Sequence, residues 1–256
     1  MKNYLLREAA MSKADRGVAV ITGASSGIGA ATTLRLSEEG FEVILGARRV
    51  DKLTAVAERA GGRAHELDVT DEASVKSFAE ACSGARVLVN NAGLASGLEE
   101  VQELSEERVR VMWETNVMGL LRMTQALLGT ILGSGNGHIV NIGSIAAFEV
   151  YPGGGGYTAS KHASRALTRT LRQELVGRPV RITEINPGHV STEFASVRFD
   201  GDSQRSEQMY EGFTPLSAED IADCVAWAVT RPDNVNVDEI VLRARAQATA
   251  TLIARD

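Results

Sequence analysis

Tyr157 and Lys161 stand four residues apart in the stretch G-S-I-A-A-F-E-V-Y-P-G-G-G-G-Y-T-A-S-K, residues 143–161. On a helix that spacing puts both side chains on one face, one turn apart. A phenol titrates at about pH 10, too high for proton exchange at neutrality. An ammonium group beside it favours the phenolate and lowers that value. The pair therefore reads as a tuned acid/base. Ser144 follows an apolar run and can supply a hydroxyl next to it. Tyr and Lys at this spacing also occur as surface pairs, so other parts of the chain must discriminate.

A second cluster lies near the start. Thr22-Gly23-Ala24-Ser25-Ser26-Gly27-Ile28-Gly29 follows an apolar run and precedes a helical pattern. Glycines there let the backbone turn sharply and approach a pyrophosphate, which a helix N-terminus stabilises through free N–H groups and its dipole. The spacing is G-x-x-x-G-x-G, and its place between first strand and first helix favours nucleotide binding over a plain turn. An NAD-binding chain carries an acid at the end of the second strand for the ribose 2′-OH. Here that end reads Leu45-Gly46-Ala47-Arg48-Arg49. Guanidinium pairs with a 2′-phosphate that a carboxylate would repel, so NADP(H) is the expected cofactor. The competing reading of Arg48 and Arg49 is a solvated loop pair. Asp68 offers a carboxylate to adenine and Val69 an amide; a strand-end role competes.

Alternating strands and helices must position these residues. The patterns predict strands over 18–22, 41–46, 63–69, 87–90, 137–142, 180–185 and 236–242. Between them lie helices ending at 39 and covering 51–60, 71–81, 105–128, 157–176 and 218–229. Repeated β-α-β units with short apolar strands mean a parallel sheet with helices on both faces, in one domain over 17–256. Ser105 can cap the long helix, and Val109, Met112, Trp113, Val117, Leu120 and Leu127 follow the spacing of a buried stripe. Asn116 falls within that stripe, either as a cross-brace or as the holder of a water near Lys161. Glu99, Glu100 and Glu103 read as a solvated acidic face. Segment 189–214 is mixed and long, the pattern of a lid over a substrate.

Composition excludes several classes. The 256 residues carry a net charge of −6, which argues against nucleic acid and anionic membranes as partners. Cys82 and Cys224 are isolated, without metal-type spacing, and fit a reducing compartment. No apolar run approaches the length of a membrane helix, and the N-terminus lacks a signal-peptide core, so a cytoplasmic location is expected. Residues 1–16 read as a disordered extension, with Met11 as a second possible start.

Taken together, T-G-A-S-S-G-I-G, N-N-A-G, Asn116, Ser144, Y-T-A-S-K and Pro187-Gly188 resemble the short-chain dehydrogenase/reductase family over residues 17–243. The resemblance implies a Rossmann-type doubly wound α/β domain with a seven-stranded parallel sheet. It implies a tetrad of Asn116, Ser144, Tyr157 and Lys161, with Asn116 ordering a water relay and Lys161 also holding the nicotinamide ribose. It places Asn91, Ala92, Gly93, Pro187, Gly188, Val190 and Thr192 around the cofactor. It also implies a homotetramer or homodimer.

The T-E-F-x-x-V-R-F-x-G-D run at 192–202 narrows the resemblance to NADP-dependent 3-hydroxy acid dehydrogenases, which act on serine, L-allo-threonine and 3-hydroxy acids. Ala195 departs from that pattern, and Gly153 to Gly156 is a long glycine run. Arg198 is the candidate partner for a substrate carboxylate; anchoring the lid is the alternative. His189 borders the same mouth, where an ordinary exposed histidine is the plainer reading. Trp113 and Trp227 read as core or subunit contacts. The competing functions are a carbonyl reductase for bulkier ketones and a nonenzymatic NADP sensor.

Overall fold

A computed structural model describes residues 16–256; the proposed extension otherwise lies outside the described residues. Seven parallel strands form one sheet in the order β3-β2-β1-β4-β5-β6-β7. They are β1 (Val18–Thr22), β2 (Glu42–Ala47), β3 (Arg63–Glu66), β4 (Ala85–Asn90), β5 (Gly137–Ile142), β6 (Val180–Pro187) and β7 (Glu239–Leu242). The order reverses between β1 and β4, and the crevice beyond the strand ends at such a switch point is where this architecture binds ligands.

Helices α1 (Gly27–Glu38), α2 (Val50–Ala60) and α9 (Ala218–Val229) cover one face, where Leu36, Leu53 and Ile221 are fully buried. The other face is covered by α3 (Glu72–Glu80), α5 (Leu120–Gly133) and α6 (Gly155–Glu174), with Phe78, Met123 and Leu127 in its core. Burial on both faces explains why the strands read as continuous apolar runs rather than alternating ones.

Several expected boundaries are corrected. The third strand stops at Glu66 rather than 69, because Asp68 turns its carboxylate back to the Thr70 N–H and hydroxyl. The last strand begins at Glu239 rather than 236: the Asn236 side chain exchanges hydrogen bonds with Ile182 in the adjacent strand. The long helix is two pieces, α4 (Glu106–Trp113) and α5, joined by a π turn at Glu114–Gly119. Ser105 caps α4 as expected, accepting from the Arg108 N–H. Trp113 leaves the predicted stripe and is 42% exposed, while Met112, Val117 and Leu127 are buried. Glu99 is half-buried and reaches Arg108 at 3.5 Å, so it is not part of a solvated face. In the long segment after β6, two short helices form, α7 (Phe194–Arg198) and α8 (Ser203–Gln208).

Candidate active site

The sequence places Gly23 at the first turn with φ 65°, and a Cβ there would lie 2.9 Å from Ala92 Cα and Asn91 Nδ2. A Cβ on Gly29 would press into the Gly23 carbonyl. Only glycine lets β1 and α1 close this tightly against the loop after β4. Asn91 is the brace: its Nδ2 donates to Thr22 O at 2.8 Å and to Gly23 O at 3.2 Å. Ser26 precedes α1 without a side-chain cap bond, and the first turn holds no acid, so the helix N-terminus is available to an anion.

Beside that turn, Arg48 and Arg49 are exposed and line a cleft of about 740 Å³. They are not equivalent. Arg49 donates to Ser25 Oγ at 3.1 Å, Ser26 Oγ at 2.6 Å and Glu193 Oε2 at 2.6 Å. Arg48 forms no ion pair among the described residues. Burial alone would raise the Asp68 carboxyl, but hydrogen bonds from Thr70 and the charge of Arg48 outweigh it and hold it below its ordinary value. Asp68 and Val69 both line the cleft, together with Ile28, Ala92, Gly93, Pro187, Gly188, Val190 and Thr192.

At the other end of the same cleft stand Ser144, Tyr157 and Lys161. Ser144 closes β5. Its N–H donates to Asn186 Oδ1 at 2.9 Å, and its Oγ accepts from the Ala146 N–H at 3.1 Å. Tyr157 and Lys161 sit in the first two turns of α6, both buried. The Lys161 Nζ lies 5.9 Å from the Tyr157 ring centroid and donates to Ile142 O at 2.9 Å.

Here the expected electrostatics are corrected. Burial pushes the Tyr157 phenol above its ordinary value, with Tyr151 adding to the effect, while a hydrogen bond with Ser144 and the charge of Arg198 only partly offset it. Burial likewise pushes Lys161 down to about 8, against the pull of the buried Glu184 carboxylate. In the protein alone, burial rather than an ammonium–phenol pairing sets the direction of both shifts.

Asn116 lies in the π turn with its side chain committed on three sides. It donates to Leu94 O at 2.8 Å and Ser160 Oγ at 3.0 Å, and accepts from the Leu94 N–H at 2.9 Å. This is the cross-brace reading: the amide ties the loop after β4 to α6 below Lys161. A π turn in a helix frequently marks a functional site.

Over the end that holds Ser144, Tyr157 and Lys161 folds the segment after β6. Arg198 is buried, donating to Gly97 O at 3.2 Å and Tyr151 Oη at 3.0 Å. It thus ties this segment to the body of the domain, and its guanidinium also reaches 5.5 Å from the Tyr157 ring centroid. Phe194 packs edge-on against the same ring at 5.7 Å. His189 is half-buried rather than exposed: its Nδ1 meets Gln247 Nε2 at 2.6 Å, and burial pushes its pKa down. Trp227 is half-exposed on α9, so neither tryptophan is a core residue.

Sequence reasoning missed Tyr151, Glu184, Glu193 and Gln247 as parts of this arrangement. Tyr151 sits beside the glycine run, and Glu184 stands two residues before Asn186 on the inward face of β6, a signal alternation could have given. Nothing local flags Gln247, which reaches back from the C-terminal segment.

The family model described as "short chain dehydrogenase" matches residues 17–202. An uncharacterised oxidoreductase of Mycobacterium tuberculosis (strain H37Rv) is 56% identical over 91% of this chain and 93% of its own length. An NADP-dependent 3-hydroxy acid dehydrogenase of Schizosaccharomyces pombe is 36% identical over 96% and 99%. Among solved structures, the closed form of serine dehydrogenase complexed with NADP+ superposes with a TM-score of 0.88, at 36% identity over 93% of this chain and 99% of that one.

Proposed function

The chain belongs to the short-chain dehydrogenase family, and on that premise we propose that it moves a hydride between NADP(H) and the hydroxyl-bearing carbon of a small 3-hydroxy acid. It is an oxidoreductase of alcohol and carbonyl groups, and its cofactor is NADP(H). The residues present fit that cofactor. Gly23 and Gly29 keep the turn tight against the loop after β4, α1 has a free N-terminus that would take the pyrophosphate, and Arg48 and Arg49 line the cleft where they would meet the 2′-phosphate. When bound, the nicotinamide supplies the hydride chemistry.

The chain's own groups handle the proton. The Ser144 hydroxyl polarises the substrate oxygen. Tyr157 takes the alcohol proton in oxidation or gives one to the carbonyl in reduction. Lys161 would hold the nicotinamide ribose and, with the cofactor in place, would favour the phenolate form, and Asn116 fixes the α6 segment that carries both.

The observation that carries the substrate class is Arg198. It is a buried cation on the substrate side of Tyr157, and guanidinium matches a carboxylate in geometry and charge. The acids lining the cleft are Asp68 and Glu193, and Glu193 is already paired with Arg49 and Lys52. A second reading, a reductase of bulkier ketones, is supported by Leu98, Phe194 and Val197 at the mouth. A nonenzymatic NADP-binding sensor is a weaker reading, because the Tyr/Lys pair is intact. For assembly, we infer a homotetramer or homodimer that covers the exposed Trp113 and Trp227.

The test is an NADP-reduction screen with L-serine, L-allo-threonine, 3-hydroxypropionate and uncharged secondary alcohols. Turnover of the acids is the expected result. Activity on the uncharged alcohols alone rejects the acid assignment, and NADPH binding with no turnover of any substrate points to the sensor.

A further inference from the structure

Glu193 belongs to the lid, one residue before α7, yet its carboxylate lies at the other end of the cleft chemistry. Its Oε2 accepts from Arg49 Nη1 at 2.6 Å and its Oε1 from Lys52 Nζ at 2.7 Å. Arg49 carries on from there to Ser25 and Ser26 in the glycine turn. The paired cations hold the Glu193 carboxyl down at about 2, so it is charged at any working pH. An anion therefore already occupies the guanidinium nearest the glycine turn. Every nitrogen of that guanidinium is engaged: Nε and Nη2 with the serines, Nη1 with Glu193.

The reading of the cofactor as NADP(H), on which this inference rests, assigns the 2′-phosphate to the same donors. A phosphate dianion and a carboxylate repel when they share one cluster of cations. The structure assigns Glu193 as a specificity-determining residue for the cofactor. Its carboxylate is a resident anion on Arg49 and Lys52, which the 2′-phosphate must displace or share. The preference for NADP(H) over NAD(H) is thereby held below what the cations alone would give.

The same side chain has a second attachment. Glu193 leads directly into α7, which carries Phe194 against the Tyr157 ring and Arg198 beside it. Displacing the carboxylate from Arg49 therefore acts on the segment that walls the catalytic end. By linkage, whatever 2′-phosphate binding does to that wall, substrate seated behind the wall does in return to cofactor affinity.

Glu193→Gln keeps the shape and removes the charge at an exposed position, so folding is not at stake. Binding of NADPH and NADH to the full chain is measured by fluorescence titration in low salt. NADPH is expected to bind about two- to fivefold more tightly to the variant, the size of effect exposed charge pairs give. NADH, lacking the 2′-phosphate, is expected to shift far less. Competition by 2′-AMP should strengthen in parallel while competition by 5′-AMP does not, and Glu193→Asp, which keeps the charge, should stay near the parent NADPH/NADH ratio. Raising the salt should erase the difference between parent and variant. Equal shifts for both dinucleotides, or weaker NADPH binding, overturn the proposal and leave Glu193 a structural tie. A parent protein that binds NADH at least as tightly as NADPH rejects the cofactor reading itself, and the inference with it.

Discussion

The Arg198 guanidinium lies 5.5 Å from the centroid of the Tyr157 ring, and the two arrive there from opposite walls of the cleft. Tyr157 is fixed on α6, and Arg198, at the end of α7, is fixed by Gly97 O and Tyr151 Oη. A buried cation at that distance from a proton donor favours a substrate whose anionic group is a short chain away from its reacting oxygen. The same side chain ties the segment after β6 to the body, so the anchoring and the carboxylate-binding readings both fall on one residue and need separating.

Arg198→Lys separates them. Lysine keeps the charge but loses the planar fork. KM for a 3-hydroxy acid should rise about tenfold, the loss of roughly one charge-assisted hydrogen bond. The kcat/KM for an uncharged secondary alcohol should change little. If both substrates suffer equally, Arg198 only anchors the lid.

Tyr157→Phe removes one hydroxyl from a buried ring. Steady-state turnover should fall by about 10²- to 10⁴-fold, the range for loss of a general acid/base. NADPH titration should give nearly the parent affinity. Turnover close to that of the parent would remove Tyr157 from the chemistry.

Lys161 carries a pH signature. Its folded value of about 8 lies below the 10.5 of the free side chain, so between those values the unfolded chain holds the extra proton. Stability attributable to this group therefore rises with pH across that window, and below pH 8 the full cost of burying the ammonium is present. Lys161→Met should be more stable at pH 7 by roughly 1–3 kcal/mol, while losing activity. Urea melts at pH 7 and pH 9.5 check the sign: the gap should narrow at the higher pH, and a constant gap would refute it.

Arg48→Asp should move the ratio of kcat/KM for NADP and NAD toward NAD. Arg48 is the better target of the pair, because Arg49 is engaged by Ser25, Ser26 and Glu193. A carboxylate at the end of β2 repels the 2′-phosphate and accepts from a 2′-OH instead. An unchanged ratio would show that Arg48 does not read the 2′-phosphate.

The glycine turn and the Tyr/Lys spacing were legible because each is a local requirement. Gly23 and Gly29 are needed for a close approach between neighbouring segments, and residues four apart on a helix share a face. Boundaries failed where a side chain took the place of strand pairing, locally as Asp68 does with Thr70, or at a distance as Asn236 does with Ile182. Arg49 was legible as a cation near the ribose but not as a partner of Glu193, which is 144 residues away.

By itself, then, the sequence determined the order of strands and helices, the nucleotide turn and the residues able to move a proton. These follow from periodicity, turn chemistry and side-chain type, which act over a few residues. The tertiary structure alone decided what those groups experience. Burial reverses the simple electrostatics of Tyr157 and Lys161, the π turn turns Asn116 into a brace, and the segment after β6 delivers Arg198 to one end of the cleft and Glu193 to the other. Desolvation and charge pairing depend on which distant segments close over a site, and that is set only when the chain has folded.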